Sequence, residues 1–220
     1  MLNVLPWSHP ALTEMYWKMS GKLWSHCMIS INTGMITDLS WLKSIIPSTI
    51  RVHFISSGLW ADHEAEMVMW TDASLCNSLA FIYSNKGFLY PINPPPAGIK
   101  IDIFFLELLT IVVAIHHAGS LVQSPHHLLI WTDSLKSVAV LNSLHTTESL
   151  HNAPLLAIVG IILQTGMDLH VQFIKGKLNM HADMLSCLLV DEYQRKFPFI
   201  HVEHFAPPQE LLLAQWRECF

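Results

Sequence analysis

The chain has 220 residues, of which 51% are apolar and 13% charged, with a formal net charge of −5 at pH 7. That length can bury the core of one ordinary domain with added helices, and that apolar content excludes a disordered chain. The net acidity excludes an autonomous nucleic-acid binder with a basic face of its own, so any grip on a polyanion has to come from a local patch or from another polypeptide.

Residues 1–66 carry helical patterns broken by Pro6, Pro10, Gly21, Gly34 and Pro47. Within them Asp38-Leu39-Ser40-Trp41-Leu42 predicts the opening of a short amphipathic helix. Nothing in this stretch points to catalysis. Met1–Ser20 has no basic segment leading into an apolar one, so it does not read as a secretory signal, and an intracellular site, cytoplasm or nucleus, is expected.

From Glu66 the pattern changes to short apolar strands at Met67–Thr71, Leu79–Tyr83 and Gly87–Pro91, the last two split by the turn residues Ser84-Asn85-Lys86-Gly87. The prolines between Pro91 and Pro96 predict a loop. Asp102 can then cap a long apolar helix that runs to His117 and stops at Gly119. A strand over Leu128–Thr132, helices over about Ser134–Leu144 and Ala153–Thr165, and an alternating strand over Leu169–Ile174 complete the series. This order implies an α/β fold: a mixed five-stranded sheet with flanking helices, its first three strands antiparallel and its later ones joined in parallel through right-handed crossovers.

Mean hydropathy is positive at +0.37, which raises the question of a membrane span. The longest apolar stretches, Ile103–Ile115 interrupted by Glu107 and Pro154–Met167, fall short of the roughly 18 to 20 clean apolar residues that crossing requires, and both read as buried helices. Cys27, Cys76, Cys187 and Cys219 form no Cys-x-x-Cys pair, and the 14 histidines show no ligand spacing for zinc. His116/His117 and His126/His127 read as surface or helix-end residues, because adjacent side chains on a helix point about 100° apart.

The chemistry shows as carboxylates in unfavourable places. Glu107 sits in Ile103-Phe104-Phe105-Leu106-Glu107-Leu108-Leu109, where an unpaired buried charge costs several kcal/mol and a bound cation would remove that cost. Met69-Trp70-Thr71-Asp72 and Ile130-Trp131-Thr132-Asp133 both run apolar and end in Trp-Thr-Asp. If the two strands are parallel neighbours, both acids project at the same end of the sheet, where open α/β folds keep their sites. Asp183 falls in the first turn of a helix that Asn179 can cap. Singly, Asp72 and Asp133 read as turn or cap residues and Asp183 as helix-start chemistry. Acids of one sign converge only around metal.

Thr71-Asp72-Ala73-Ser74, Glu107, Thr132-Asp133-Ser134 and Gly176-x-x-Asn179-x-x-Ala182-Asp183-x-Leu185-Ser186 together resemble the ribonuclease H of retrotransposon reverse transcriptases. Glu107 lies between the two strand aspartates, whereas integrase-type relatives place their glutamate last, which separates the two groups. Upstream, Pro10-Ala11-Leu12, Lys18-Met19-Ser20-Gly21-Lys22 and Asp38–Leu42 look like the segment that follows the polymerase palm in the DIRS-like type found in fungi. Phe205-Ala206-Pro207-Pro208 with Leu211–Leu213 looks like a linker leaving the domain. The implied organisation is a helical remnant of the polymerase connection over 1–66, a ribonuclease H-like domain over 67–190, and a tail over 191–220.

The resemblance implies that Asp72, Glu107, Asp133 and Asp183 hold two Mg²⁺ ions, with Mn²⁺ able to substitute, and that the RNA strand of an RNA/DNA hybrid is cut. Ser74, Asn77, Ser134 and Lys136 are expected against nucleic acid, as are Lys175, Lys177, Asn179 and His181. Lys86 is expected to extend the positive rim made by the other lysines. The remaining partner is the polymerase portion of the same polyprotein; no membrane and no small-molecule cofactor are expected. Departures exist: Leu75-Cys76-Asn77-Ser78-Leu79 lacks the usual glycines, with Asn77 as a stand-in, and Cys187 occupies a position that is often basic. A decayed or truncated copy that keeps the fold without activity is the alternative, and a DNA-cutting transposase or resolvase of the same fold is the third reading.

Overall fold

The computed structural model describes residues 6–22, 26, 28–48, 60–75, 78–92, 101–146 and 148–207. Helical pieces come first: a 3₁₀ stretch Pro6–Leu12, then α1 (Thr13–Met19) and α2 (Thr33–Ile45), followed by short 3₁₀ turns at Ile46–Ser48 and Asp62–Glu64. A three-stranded meander follows, β1 (Met67–Ala73), β2 (Ser78–Tyr83) and β3 (Lys86–Pro91). Next come α3 (Ile103–Ser120), β4 (His127–Thr132), α4 (Leu135–Ser143), α5 (Ser149–Thr165) and β5 (Asp168–Phe173). The described chain closes with α6 (Met180–Ser186), α7 (Val190–Lys196) and β6 (His201–His204).

Among the described residues one sheet takes all the strands, in the order β5-β4-β1-β2-β3-β6. The β1–β2 and β2–β3 pairs are antiparallel; β1–β4, β4–β5 and β3–β6 are parallel. This is the expected mixed sheet with one strand more than the five predicted. The sixth comes from the segment read as tail: α7 packs Tyr193 into the interior and β6 pairs with Lys86–Leu89. The sheet thus extends past residue 190, and the expectation of a bare linker beyond it is corrected.

Strand β2 explains why its sequence is apolar without alternation. Leu79 and Phe81 face a large core shared with α3 and α5, while Ala80 and Ile82 face a smaller one shared with Met184, Leu185 and Tyr193. A strand buried on both faces has no reason to alternate. Helix α6 approaches so closely that a Cβ on Gly87 would lie 2.7 Å from Leu185 Cδ1, so the absent side chain of Gly87 is what admits Leu185. A seven-residue helix is too short to hold itself, and this seat on the sheet is what fixes it.

Caps account for the helix starts. Asp102 accepts from the Phe105 N–H at 2.7 Å and Ser134 from the Ser137 N–H at 3.2 Å, as their positions predict. Helix α2 begins earlier than expected, because Asn32 caps it through the Met35 N–H at 2.8 Å; Asp38 sits mid-helix, buried, and accepts from the Glu14 N–H at 3.4 Å. Helix α5 likewise starts at Ser149 and not at Ala153. The N-terminal pieces lie against α5, where Asn152 Nδ2 donates to the Pro10 carbonyl at 3.1 Å. By length and composition α3 could cross a membrane, but 67% of it is buried here in the protein core.

Candidate active site

Thr71 of β1 is the register partner of Thr132 of β4, so the chain presents Asp72 and Asp133 side by side at one end of two parallel strands. Asp72 lies within hydrogen-bond reach of Asp133 and feels the charge of Asp183. Glu107, one turn into α3, takes a short hydrogen bond from the Ser134 hydroxyl, the residue directly after Asp133. Asp183 is exposed on α6. That helix is bolted to the strand of Asp72 by buried polar groups. Asn179 Nδ2 donates to the Thr71 carbonyl at 3.0 Å, Ser186 Oγ makes a short hydrogen bond to Asp72 Oδ2, and Ser78 Oγ donates to the Leu185 and Ser186 carbonyls, each at 3.0 Å.

Electrostatics follow from this crowding. Burial pushes the Asp72 carboxyl up to about 7; the Ser186 hydroxyl opposes the rise, and the charges of Asp133 and Asp183 add to it. Glu107 is also raised, first by burial and then by Asp133 and Asp102, with the Ser134 hydroxyl and Lys136 pulling the other way. These are hard oxygen donors that face one another, the set that Mg²⁺ or Mn²⁺ prefers. Next to the strand of Asp72, Asn179 Oδ1 has no hydrogen-bond partner although the residue is 1% exposed. The loop at Gly176 also crosses close by, since a Cβ there would lie 3.0 Å from Asp133 Oδ2.

The expected nucleic-acid contacts divide. Ser74 stands just past Asp72, where its N–H bonds the Ser78 carbonyl at 3.0 Å, and Asn77 lies outside the described residues. Lys175 and Lys177 are exposed on either side of Gly176, and Lys136 rests 4.1 Å from the centre of the Phe104 ring. Lys86 is at the opposite end of the sheet, opposite Tyr83 and paired with Glu203 at 3.1 Å, so it does not belong to this rim. His181 turns to α7, with Nδ1 3.0 Å from the Tyr193 hydroxyl and its ring 4.2 Å from that of Phe197. Asn179 occupies the cap position of α6 without capping it; its Nδ2 donates to the Thr71 carbonyl.

A second acidic group was not foreseen. His151, 1% exposed, has Nε2 at 3.0 and 3.1 Å from the two oxygens of Asp102 and Nδ1 at 3.8 Å from Glu148 Oε2. Among the described residues this trio has its ligand atoms within 4.8 Å of one another and could hold an ion; the four predicted acids are not drawn that tightly. Its setting, however, is the start of two helices, with Asp102 at the head of α3 and Glu148 at the head of α5. The positive ends of both helix dipoles meet there, which favours anionic groups and disfavours an added cation. The trio's only trace in the sequence is the three-residue spacing of Glu148 and His151.

No protein-family model matches the chain, and no curated protein matches it. Among solved structures, the ribonuclease H1 of the halophilic archaeon Halobacterium salinarum NRC-1 is similar over 57% of this chain and 98% of that one, at 15% identity and a TM-score of 0.42. The prototype foamy virus protease-reverse transcriptase is similar over 64% of this chain and 23% of that one, at 13% identity and a TM-score of 0.41. By its own strand order, with an antiparallel meander followed by parallel strands and helices on both faces, the fold is ribonuclease H-like.

Proposed function

We propose that the chain is a divalent-metal-dependent endonuclease that hydrolyses the RNA strand of RNA/DNA hybrids, as one part of a retroelement polyprotein of the DIRS-like type. The observation that carries this reading is the emergence of Asp72 and Asp133 from adjacent parallel strands, with the charges of Asp133 and Asp183 felt by Asp72 and that of Asp133 felt by Glu107. Asp72, Glu107, Asp133 and Asp183 would hold two Mg²⁺ ions. Such ions, when bound, activate the attacking water and stabilise the leaving 3′ oxygen.

The chain's own residues would bind and orient the duplex. Lys175 and Lys177 flank the close approach to Asp133 and would take phosphates of the cut strand. Ser74 stands just past Asp72 and would meet the 2′-hydroxyls that tell RNA from DNA, whereas Asn179, expected there too, is buried and holds the Thr71 carbonyl instead. A net charge of −5 leaves most of the affinity to the polymerase portion. That same charge, with Cys187 at an often basic position, supports the second reading, a copy that keeps the fold and binds without cutting.

The test is incubation of a labelled RNA/DNA hybrid with the full chain and Mg²⁺, beside the matching DNA duplex. Cleavage of the RNA strand alone, leaving 5′ phosphate, is expected. Hybrid retained on the protein and left intact at millimolar Mg²⁺ or Mn²⁺ would select the second reading.

A further inference from the structure

We propose that Ser134 and Ser186 are the positioning residues of the acidic site, each hydroxyl holding one carboxylate oxygen, of Glu107 and of Asp72, so that the acids are oriented before a divalent cation arrives. The inference rests on reading the four acids as a metal site and goes on to say what sets their geometry.

Ser134 shows the logic most clearly. A hydroxyl has one hydrogen to give and two lone pairs to receive with. Ser134 Oγ receives from the Ser137 N–H at 3.2 Å and the Ser137 hydroxyl at 2.8 Å, so its lone pairs are filled and its single hydrogen is left for Glu107 Oε2. The donor cannot rotate away without breaking both other bonds. Because Ser134 directly follows Asp133, the strand end that presents one acid also fixes the next.

Ser186 links the other pair in a different way, because its single hydrogen lies between two acceptors, Asp72 Oδ2 and the Asp183 carbonyl. It is 0% exposed; its oxygen lies 2.9 Å from the Asp183 carbonyl and makes a short hydrogen bond to Asp72 Oδ2, while its own carbonyl is held by Ser78 at 3.0 Å. Asp72 is thereby tied to the helix turn that carries Asp183. The two serines join four acids of one charge into two pairs, Glu107 with Asp133 and Asp72 with Asp183. Hydrogen bonds to a charged acceptor are about twice as strong as neutral ones, and here they oppose the mutual repulsion that would turn the carboxylates apart. Groups that sit behind metal ligands and orient them change metal affinity when removed, commonly by about 10- to 100-fold.

Capping is the competing role for Ser134, and the choice of variant separates the two. Glycine is tolerated at a helix cap nearly as well as serine but removes the hydroxyl, whereas threonine keeps both cap and hydroxyl. The full chain is titrated with Mg²⁺ alone by calorimetry, and its melting temperature is recorded with and without the ion. Ser134→Gly and Ser186→Ala are each expected to weaken Mg²⁺ binding by roughly 10- to 100-fold, with Ser134→Thr binding as wild type does. Variants that melt lower but bind Mg²⁺ as tightly as wild type overturn the proposal and leave the serines as structural groups. If Ser186→Ala does not fold, the Ser134→Gly and Ser134→Thr pair decides. Wild-type chain that binds no Mg²⁺ overturns the metal site itself, and this inference with it. Wild-type binding that Asp133→Asn abolishes and neither serine variant alters overturns the inference alone.

Discussion

The site at Asp72 and the trio at Asp102 are both gatherings of acids near Glu107, and they are partnered in opposite ways. At Asp102 the fold supplies donors: a buried imidazole lies against both carboxylate oxygens and the first turn of α3 offers a backbone N–H. At Asp72 an acid meets an acid, the donors are two serine hydroxyls, and a buried amide oxygen of Asn179 stays unmatched. Proximity of carboxylates is therefore not what marks a functional site. An acid answered by the protein's own donors is architecture, and acids left facing one another call for a cation from outside.

The contrast breaks most visibly if Asp133 is neutralised. Loss of several kcal/mol of charge stabilisation in the transition state corresponds to roughly 10²- to 10³-fold in rate, so Asp133→Asn should lose hybrid cleavage by at least that factor. The same change removes repulsion, so the metal-free variant should melt higher than wild type and gain less from Mg²⁺. Cleavage and melting measured side by side check both halves. Unchanged cleavage would put Asp133 in the same class as Asp102.

His151→Ala should do the reverse. Removing a buried partner from an acid whose side chain is still 47% exposed should cost about 1–2 kcal/mol, less than breaking a wholly buried pair. For a chain of this size that is a fall in melting temperature of about 2–8 °C. Mg²⁺ binding and hybrid cleavage should stay as they are. A His151→Ala chain that lost its Mg²⁺-dependent rise in melting temperature would make the trio an ion site after all.

The dependence on pH sharpens the distinction further. Asp72 keeps its proton in the folded chain up to about 7, far above the ordinary 3.8, so the fold binds that proton more tightly than the unfolded chain does. Its contribution to stability is complete below about pH 4 and is lost as pH rises through about 7. Metal-free melts from pH 4 to 8 should therefore fall more steeply for wild type than for Asp72→Asn, and Mg²⁺ should flatten the wild-type curve. Parallel curves for the two proteins would contradict the burial of Asp72 among acids.

The sequence and the structure agree where each residue broke a local rule. Glu107 interrupts an apolar helix, and Asp72 and Asp133 repeat the same strand ending, so the meander, the central helix and the parallel pair were all readable. The trio was not, because capping already explains Asp102 and its histidine lies 49 residues away. Strand β6 was missed for a different reason: His201-Val202-Glu203-His204 is mostly exposed at a sheet edge and needs no apolar pattern to pair through its backbone. The amide of Asn179 shows a third limit, since a residue type suited to capping can be recruited by a strand 108 positions away.

Strand β6 matters beyond its four residues. It is the last strand among the described residues and covers the outer ladder of β3, whose neighbour on the other side is made more than a hundred residues earlier. During synthesis the meander can close while that ladder is still open, and an open ladder is a template for another copy of the same strand. In the folded chain the segment read as a tail closes that ladder along Lys86–Leu89.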